Sequence, residues 1–94
     1  MILADTTAYG VKVSASCDKD FRARFKKNRA LAVAVEKKVL QIAEDPLRFK
    51  ALGGPLAGCY RVHIRGSFVL IFSVNERERA VELLRFAHHD EAYK

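Results

Sequence analysis

An alternation of hydrophobic and polar residues from Tyr9 to Cys17 predicts the first β-strand of this chain. Residues 1–8 show no periodicity, and we interpret them as a leader without an assigned role. The alternation places one apolar set on the side of the strand that faces a core. That set is Val11, Val13, Ala15 and Cys17.

The period of the pattern then changes to that of α-helices. Asp18 is a residue type that caps helices, and Phe21 and Phe25 follow it one turn apart. A second helix is predicted from about Ala30 to Glu44, because its apolar residues recur with helical spacing and Pro46 prevents its continuation. The two helices are expected to form a hairpin over a sheet.

The C-terminal half predicts three further strands joined by short turns. Cys59 to Ile64 alternates, Phe68 to Val74 is apolar on both faces as in a central strand, and Val81 to Ala87 is the last strand. Leu47 to Gly58 is rich in glycine and is interpreted as a connection pinned to the core. The order β-α-α-β-β-β predicts an α+β fold, with two N-terminal helices packed on a small, largely antiparallel sheet.

The length of 94 residues predicts a single domain, residues 1–94, with one core. No apolar run approaches the length of a membrane span, and the N-terminus lacks the features of a signal peptide, so we expect no membrane association and a cytoplasmic location. In that compartment Cys17 and Cys59 are expected to remain thiols.

The charge of the chain favours a polyanionic partner, either nucleic acid or an acidic protein segment. There are 17 Lys and Arg against 11 Asp and Glu, a net charge of +6. One basic cluster lies between Lys19 and Arg29, and a solvated helix face explains it equally well. From Pro46 to Asn75 there is no acidic residue at all, and a solvated face explains the cations there less well.

Candidate chemistry lies on two of the predicted strands. Arg61 and His63 share one face of a strand about 7 Å apart. If the last two strands flank one another, Arg85 and His89 approach from the end of the last strand, and a turn of helix would bring Tyr93 beside His89. Each of these residues also has a plainer explanation, as a solvated strand charge or part of a polar tail, and His88 is interpreted as a bystander.

Imidazoles and guanidinium groups without a carboxylate cluster suit the cleavage of RNA without a metal. The ribose 2′-hydroxyl is then the nucleophile, imidazoles move the protons, and arginine stabilises the charged phosphorane. Zinc would require Cys59 and His63 to share an ion, but on a strand they are about 13 Å apart. We therefore expect neither a metal nor a cofactor.

The order of elements and several words of the sequence, from Tyr9 to Tyr93, resemble the RelE/ParE superfamily of toxins, and within it the YafQ-like messenger RNA endonucleases. The words that carry the resemblance are Pro55-Leu56-Ala57-Gly58-Cys59-Tyr60-Arg61-Val62-His63-Ile64, Ser67-Phe68-Val69-Leu70-Ile71-Phe72 and His89-Asp90-Glu91-Ala92-Tyr93.

The YafQ-like motif residues are matched only in part. His63 is similar to the strand histidine of that group, and His89 with Tyr93 is similar to its C-terminal His-x-x-x-aromatic motif. Its Asp-Trp pair falls at Ser67 and Phe68, so the aromatic is kept in kind and the carboxylate is absent. A further histidine would fall near Gly53 or Gly54 and is missing. Compared with RelE itself, Arg61 and His63 stand where lysines do, and Val69 where an arginine does.

The resemblance implies a toxin of a type II toxin-antitoxin system that cleaves messenger RNA on the ribosome, held in a hetero-oligomer by an acidic antitoxin. It implies that His63 and His89 share the acid and base roles, that Arg61 stabilises the phosphorane and that Tyr93 orients or stacks on a base. Further RNA or phosphate contacts are predicted for Arg65, Arg85, Phe68 and Lys50. Two alternatives stay open: a ParE-like gyrase inhibitor, and a degenerate toxin that only binds its antitoxin.

Overall fold

The computed structural model describes residues 8–90, which form two helices and five strands. Tyr93 and residues 1–7 of the predicted leader lie outside this range. Within it, neither helix is long and apolar enough to cross a membrane. The elements are β1 (Gly10–Val13), α1 (Ala15–Phe25), α2 (Arg29–Glu44), β2 (Lys50–Ala51), β3 (Cys59–Ile64), β4 (Phe68–Asn75) and β5 (Ala80–His88).

The strands form one sheet in the order β1-β5-β4-β3-β2. β3, β4 and β5 follow each other through short turns and pair antiparallel, as does β2 with β3. β1 pairs parallel with β5, and the chain that joins them, which contains both helices and the other three strands, supplies the long connection that a parallel pair requires. The predicted α+β fold, with two helices on a largely antiparallel sheet, is confirmed.

The first strand is shorter than predicted. Ser14 leaves the sheet and caps α1, its Oγ accepting a hydrogen bond from the backbone N of Cys17 at 3.0 Å. Asp18 therefore lies in the first turn of α1 rather than at its cap. Val11 and Val13, expected in the core, are 39% and 46% exposed. The alternation of the sequence continued past the strand because a capping serine and the first helical turn repeat the same polar and apolar order.

The connection after α2 contains a strand that the sequence pattern did not predict. Lys50 and Ala51 form β2 and pair with Arg61 and Tyr60. Two residues are too few to show an alternation, so the hydrophobic pattern carries no signal for this strand. The expected anchoring of the connection is present, because the ring of Phe49 packs edge-on against a core aromatic ring at 5.9 Å.

The core lies between the helices and one face of the sheet. β4 is central in the sheet, and both of its faces are buried, as its sequence predicts. Leu70 and Phe72 face the helices and are fully buried, while Val69 and Ile71, at 0% and 4% exposure, lie on the opposite face. Because Val69 and Ile71 are apolar and shielded from solvent, polar side chains of the flanking strands must extend over them.

A carboxylate of α1 fixes the irregular part of β5. The pairing register of β4 and β5 shifts next to Ile71, where β5 carries a bulge. There one oxygen of Asp20 accepts hydrogen bonds from the backbone N of Phe86 and from Nε of Arg85, both at 2.9 Å. The hydroxyl of Ser14 donates to the carbonyl of Leu84 at 3.1 Å. These contacts bind the start and the middle of α1 to the strand below it.

Replacement of Asp20 by alanine is expected to lower the free energy of unfolding by about 1–3 kcal/mol, because a backbone N–H and a guanidinium lose their acceptor. Urea denaturation followed by circular dichroism measures the change. Asp18→Ala is the matched control, since Asp18 makes only a solvent-exposed pair with Arg22 on the same helix and should cost about 0.5 kcal/mol or less. Equal losses in the two variants would contradict the assigned role of Asp20.

Candidate active site

Arg61 and His63 extend from the face of the sheet that is turned away from the helices. Val62 and Ile64 between and beside them are buried against the helices, and strand alternation sends their neighbours to the other side. Nη1 of Arg61 lies 3.0 Å from Nδ1 and 3.3 Å from Nε2 of His63. Since a guanidinium can only donate, this contact requires a ring nitrogen of His63 with a free lone pair.

His89 reaches the same place from the other side of β4. Its backbone N donates to the carbonyl of Ser67 at 2.7 Å, which continues the β4–β5 pairing by one residue. Its ring stacks on the ring of His63 with the centroids 5.5 Å apart and the planes inclined by 28°. Because the two histidines start from opposite sides of β4, where His63 pairs with Val69 and His89 bonds to Ser67, their rings meet across that strand. Three of the predicted catalytic residues thus form one cluster.

The electrostatics of the cluster favour a neutral His63. Partial desolvation, then the positive charge of Arg61, then that of His89 lower the pKa of His63 below its ordinary value. A neutral imidazole has one ring nitrogen that can accept a proton, and in this structure Arg61 donates to that nitrogen. This environment suits a general base better than a general acid.

Replacement of Arg61 by glutamine is expected to raise the pKa of His63, because a positive charge that opposes protonation of the ring is removed. An NMR titration of the His63 ring protons in the two proteins measures the shift without depending on catalysis. Arg65→Gln is the control, because it removes the same charge from the neighbouring turn and should leave the midpoint of His63 nearly unchanged. A His63 midpoint that moves down, or fails to move, in Arg61→Gln would contradict the proposed interaction.

The other predicted contact residues take up varied positions. Lys50 lies opposite Arg61 in the pairing of β2 and β3, and it is exposed. Arg65 is exposed in the turn between β3 and β4. Arg85 is held by Asp20 at the bulge of β5. Lys50 and Arg65 therefore flank the cluster, whereas the guanidinium of Arg85 is engaged by a helix.

Phe68, also predicted to contact RNA, lies on the opposite side of the sheet from the cluster. It pairs with Ile64 and shares the helix-facing side with the core. Its ring stacks on that of Phe86 at 5.3 Å, contacts the His88 ring edge-on at 5.7 Å, and lies 5.4 Å from Cζ of Arg24. The register of the hairpin decides this side, because Phe68 has the same parity as Leu70 and Phe72, which face the helices.

The structure also shows the surroundings of His88, of the possible metal ligands and of Cys17. His88 faces the helix side while His89 faces the cluster, in agreement with its interpretation as a bystander to the site. Among residues 8–90, no three His, Cys, Asp or Glu side chains are grouped so that they could hold a metal ion. Burial raises the pKa of the Cys17 thiol to about 12, which makes it unreactive.

Comparison with known proteins relates the whole fold to bacterial and archaeal toxins. A family model described as the ParE toxin of the type II toxin-antitoxin system matches residues 11–93. A protein named as the toxin RelE4 from Methanocaldococcus jannaschii is 37% identical over 86 residues, which cover 92% of each chain.

Solved structures show the same relationship. The RelBE2 toxin-antitoxin complex of Mycobacterium tuberculosis contains a chain that is 26% identical, with a TM-score of 0.76 over 92% of this chain and 97% of that one. The isolated RelE toxin of Escherichia coli shares the fold at 21% identity, with a TM-score of 0.72 over 92% of this chain and 89% of that one. The YafQ-like subgroup stays a prediction. Both the sequence match and the architecture establish that this chain belongs to the ParE toxin family, within the RelE/ParE superfamily of type II toxin-antitoxin systems.

Proposed function

We propose that this toxin is a metal-independent endoribonuclease that cleaves messenger RNA at the cluster of Arg61, His63 and His89. The observation that carries the proposal is the contact of all three side chains on one face of the sheet. Two imidazoles and a guanidinium are the groups that cleavage by the 2′-hydroxyl requires. A surface that served only to bind another protein would have no need of two stacked histidines beside an arginine.

In the proposed reaction, His63 takes the proton of a ribose 2′-hydroxyl, and that oxygen attacks the adjacent phosphorus. The bond from phosphorus to the 5′-oxygen of the next nucleotide breaks, and His89 supplies the proton that this oxygen takes up. Arg61 binds the non-bridging oxygens and stabilises the charge of the phosphorane. The products are a 2′,3′-cyclic phosphate and a free 5′-hydroxyl. The lowered pKa of His63 supports its assignment as the base.

The remaining proposed contacts with the RNA lie around the cluster. Lys50 and Arg65 flank the cluster on a part of the chain, residues 46–75, that contains no acidic residue. These cations would bind phosphates on either side of the cleaved bond. Tyr93 keeps its predicted role of stacking on a base. Arg85 is proposed as a more distant phosphate contact, since Asp20 holds its Nε.

We further propose that an acidic antitoxin binds this toxin and that ribosome-bound messenger RNA is its substrate. Structural relatives include the RelBE2 complex of Mycobacterium tuberculosis and the intact RelBE complex of Escherichia coli, both toxin-antitoxin assemblies. The net charge of +6 favours association with an acidic polypeptide as well as with RNA. A hetero-oligomer in the cytoplasm is the form in which the toxin would be stored.

The proposed function is tested by adding the purified toxin to a reconstituted translation system programmed with one messenger RNA. Primer extension should reveal new ends with wild-type protein and none with the double variant in which His63 and His89 are both alanine. Intact messenger RNA at toxin concentrations that stop translation would contradict the proposal.

A second candidate function is inhibition of DNA gyrase, favoured by the description of the matching family model as a ParE toxin. The same protein preparation added to a gyrase supercoiling assay separates the two functions. Loss of supercoiling together with intact messenger RNA would select the gyrase inhibitor. Neither effect, combined with normal antitoxin binding, would identify a degenerate toxin.

A further inference from the structure

Arg24 is fixed to the end of the sheet by an aromatic side chain. It belongs to the last turn of α1, and its Cζ lies 5.4 Å from the centroid of the Phe68 ring. Phe68 in turn stacks on the fully buried Phe86 and contacts His88. A guanidinium that rests on a packed ring has lost much of its rotamer freedom before any ligand arrives. Arg24 therefore differs from the other cations of α1, which extend into solvent.

The position of Arg24 relates it to the proposed cleavage site. Phe68 pairs with His88 at the last position of the β4–β5 ladder, and the next residue, His89, turns its ring to the opposite face. Arg24 and the cluster thus lie at the same end of the sheet, one on each face. An RNA strand bound at His89 would have to bend around the end of β4 to contact the guanidinium of Arg24.

The charges at this end of the sheet favour an anion. Arg65 is exposed in the turn that directly precedes β4. Asp90 is an acidic residue close to His88 and His89. Its carboxylate oxygens lie 3.8 Å from Nδ1 of His88 and 3.6 Å from Nδ1 of His89. Its side chain is 81% exposed, and among residues 8–90 Arg24 and Arg65 outnumber this single carboxylate at the end of the sheet.

We propose that Arg24 binds a phosphate of the RNA that flanks the cleaved bond, with Phe68 as the platform that orients its guanidinium. This inference rests on the proposed ribonuclease function and adds a contact on the helix side of the sheet. Arginine suits the task because a stacked guanidinium still presents its N–H edge for paired hydrogen bonds to phosphate oxygens. The role proposed for Phe68 thereby changes from a direct contact with RNA to the support of a phosphate contact.

The test measures binding to a short oligoribonucleotide of mixed sequence with 2′-O-methyl riboses, which the toxin cannot cleave. Arg24→Ala is expected to weaken binding about tenfold and to reduce the slope of log K against log salt by about 0.7, the value of one phosphate contact on a single strand. Arg24→Lys should show an intermediate loss, since it keeps the charge without the planar fork. Arg22→Ala is the matched control on the same helix, with a side chain that is 81% exposed and paired with Asp18, and should bind within about twofold of wild type.

Thermal melting of each variant separates lost binding from lost folding. If Arg24→Ala melts at a lower temperature than wild type, the Arg24→Lys variant is used instead. It must bind the RNA more weakly than wild type while melting at the same temperature. Equal affinities of Arg24→Ala and Arg22→Ala, weakened binding of the antitoxin alone, or no binding of the oligoribonucleotide by wild-type toxin would each overturn the inference. Wild-type protein that binds this RNA through Arg24 but never cleaves unmodified messenger RNA would overturn the proposed reaction and leave the phosphate contact in place.

Discussion

Replacement of either His63 or His89 by alanine is expected to slow cleavage of messenger RNA at least about 100-fold, the usual contribution of one positioned proton donor or acceptor. The reason is geometric, because the two rings are in contact and, in the proposed mechanism, both act on one phosphate. Single-turnover cleavage on programmed ribosomes, with toxin in excess, measures the chemical step and excludes product release from the comparison.

His88→Ala is the matched control for this prediction. It removes the same side chain one position earlier in the chain, from a residue whose ring contacts Phe68 on the other side of the sheet. We expect it to cleave within a few-fold of wild type. A His88 variant as impaired as the His89 variant would indicate that the end of β5 contributes to folding or antitoxin binding rather than to proton transfer.

Replacement of Phe86 by alanine is expected to lower the free energy of unfolding by about 3–5 kcal/mol, as large cavities in a core do. Phe86 is 1% exposed. Its ring contacts Phe21 and Phe68 at 5.3 Å and Phe25 at 5.9 Å, so it joins α1 to β4 and β5. For a domain of this size, such a loss is a large part of the total stability.

Urea denaturation of the wild-type protein and of the Phe86→Ala variant measures this loss of stability. Phe86→Leu serves as the control, because it keeps most of the apolar volume and should cost about 1.5 kcal/mol or less. A loss under about 1 kcal/mol in Phe86→Ala would show that α1 is not held to the sheet through this ring.

The parts of the fold that the sequence predicts well have strong and mutually consistent local signals. α2 was expected from Ala30 to Glu44 and spans Arg29–Glu44. Its start is fixed by Asn28, whose side chain accepts a hydrogen bond from the backbone N of Leu31, and Pro46 follows its end. β3 and β4 also appear where the alternation and the continuous apolar run place them.

The failures occur where one pattern fits two structures or where no pattern exists. Ser14 and Cys17 continue the alternation of β1. In the structure, however, Ser14 caps α1, and its hydroxyl accepts a hydrogen bond from the backbone N of Cys17. β2 has only Lys50 and Ala51, and its pairing with β3 depends on the path of the whole connection. Local sequence cannot predict an interaction decided by tertiary packing.

The sequence predicts the grouping of Arg61, His63 and His89 better than it predicts the residues around them. Strand alternation alone puts Arg61 and His63 on one face, and the order of the last two strands brings His89 to them. The side of Phe68 was also open to prediction, because hairpin register gives it the parity of Leu70. The support of Arg24 by that ring, in contrast, depends on how α1 crosses the sheet, and no spacing in the sequence encodes that angle.

In the proposed reaction, the ribose 2′-hydroxyl of the messenger RNA attacks the adjacent phosphate within the cluster of Arg61, His63 and His89. The decisive experiment maps one cleavage position and then replaces the 2′-hydroxyl at that nucleotide with hydrogen. The mechanism predicts that cleavage at this position disappears, while unmodified RNA yields a fragment that ends in a 2′,3′-cyclic phosphate. Continued cleavage of the 2′-deoxy substrate at the same position would contradict the mechanism, because another nucleophile would then be at work.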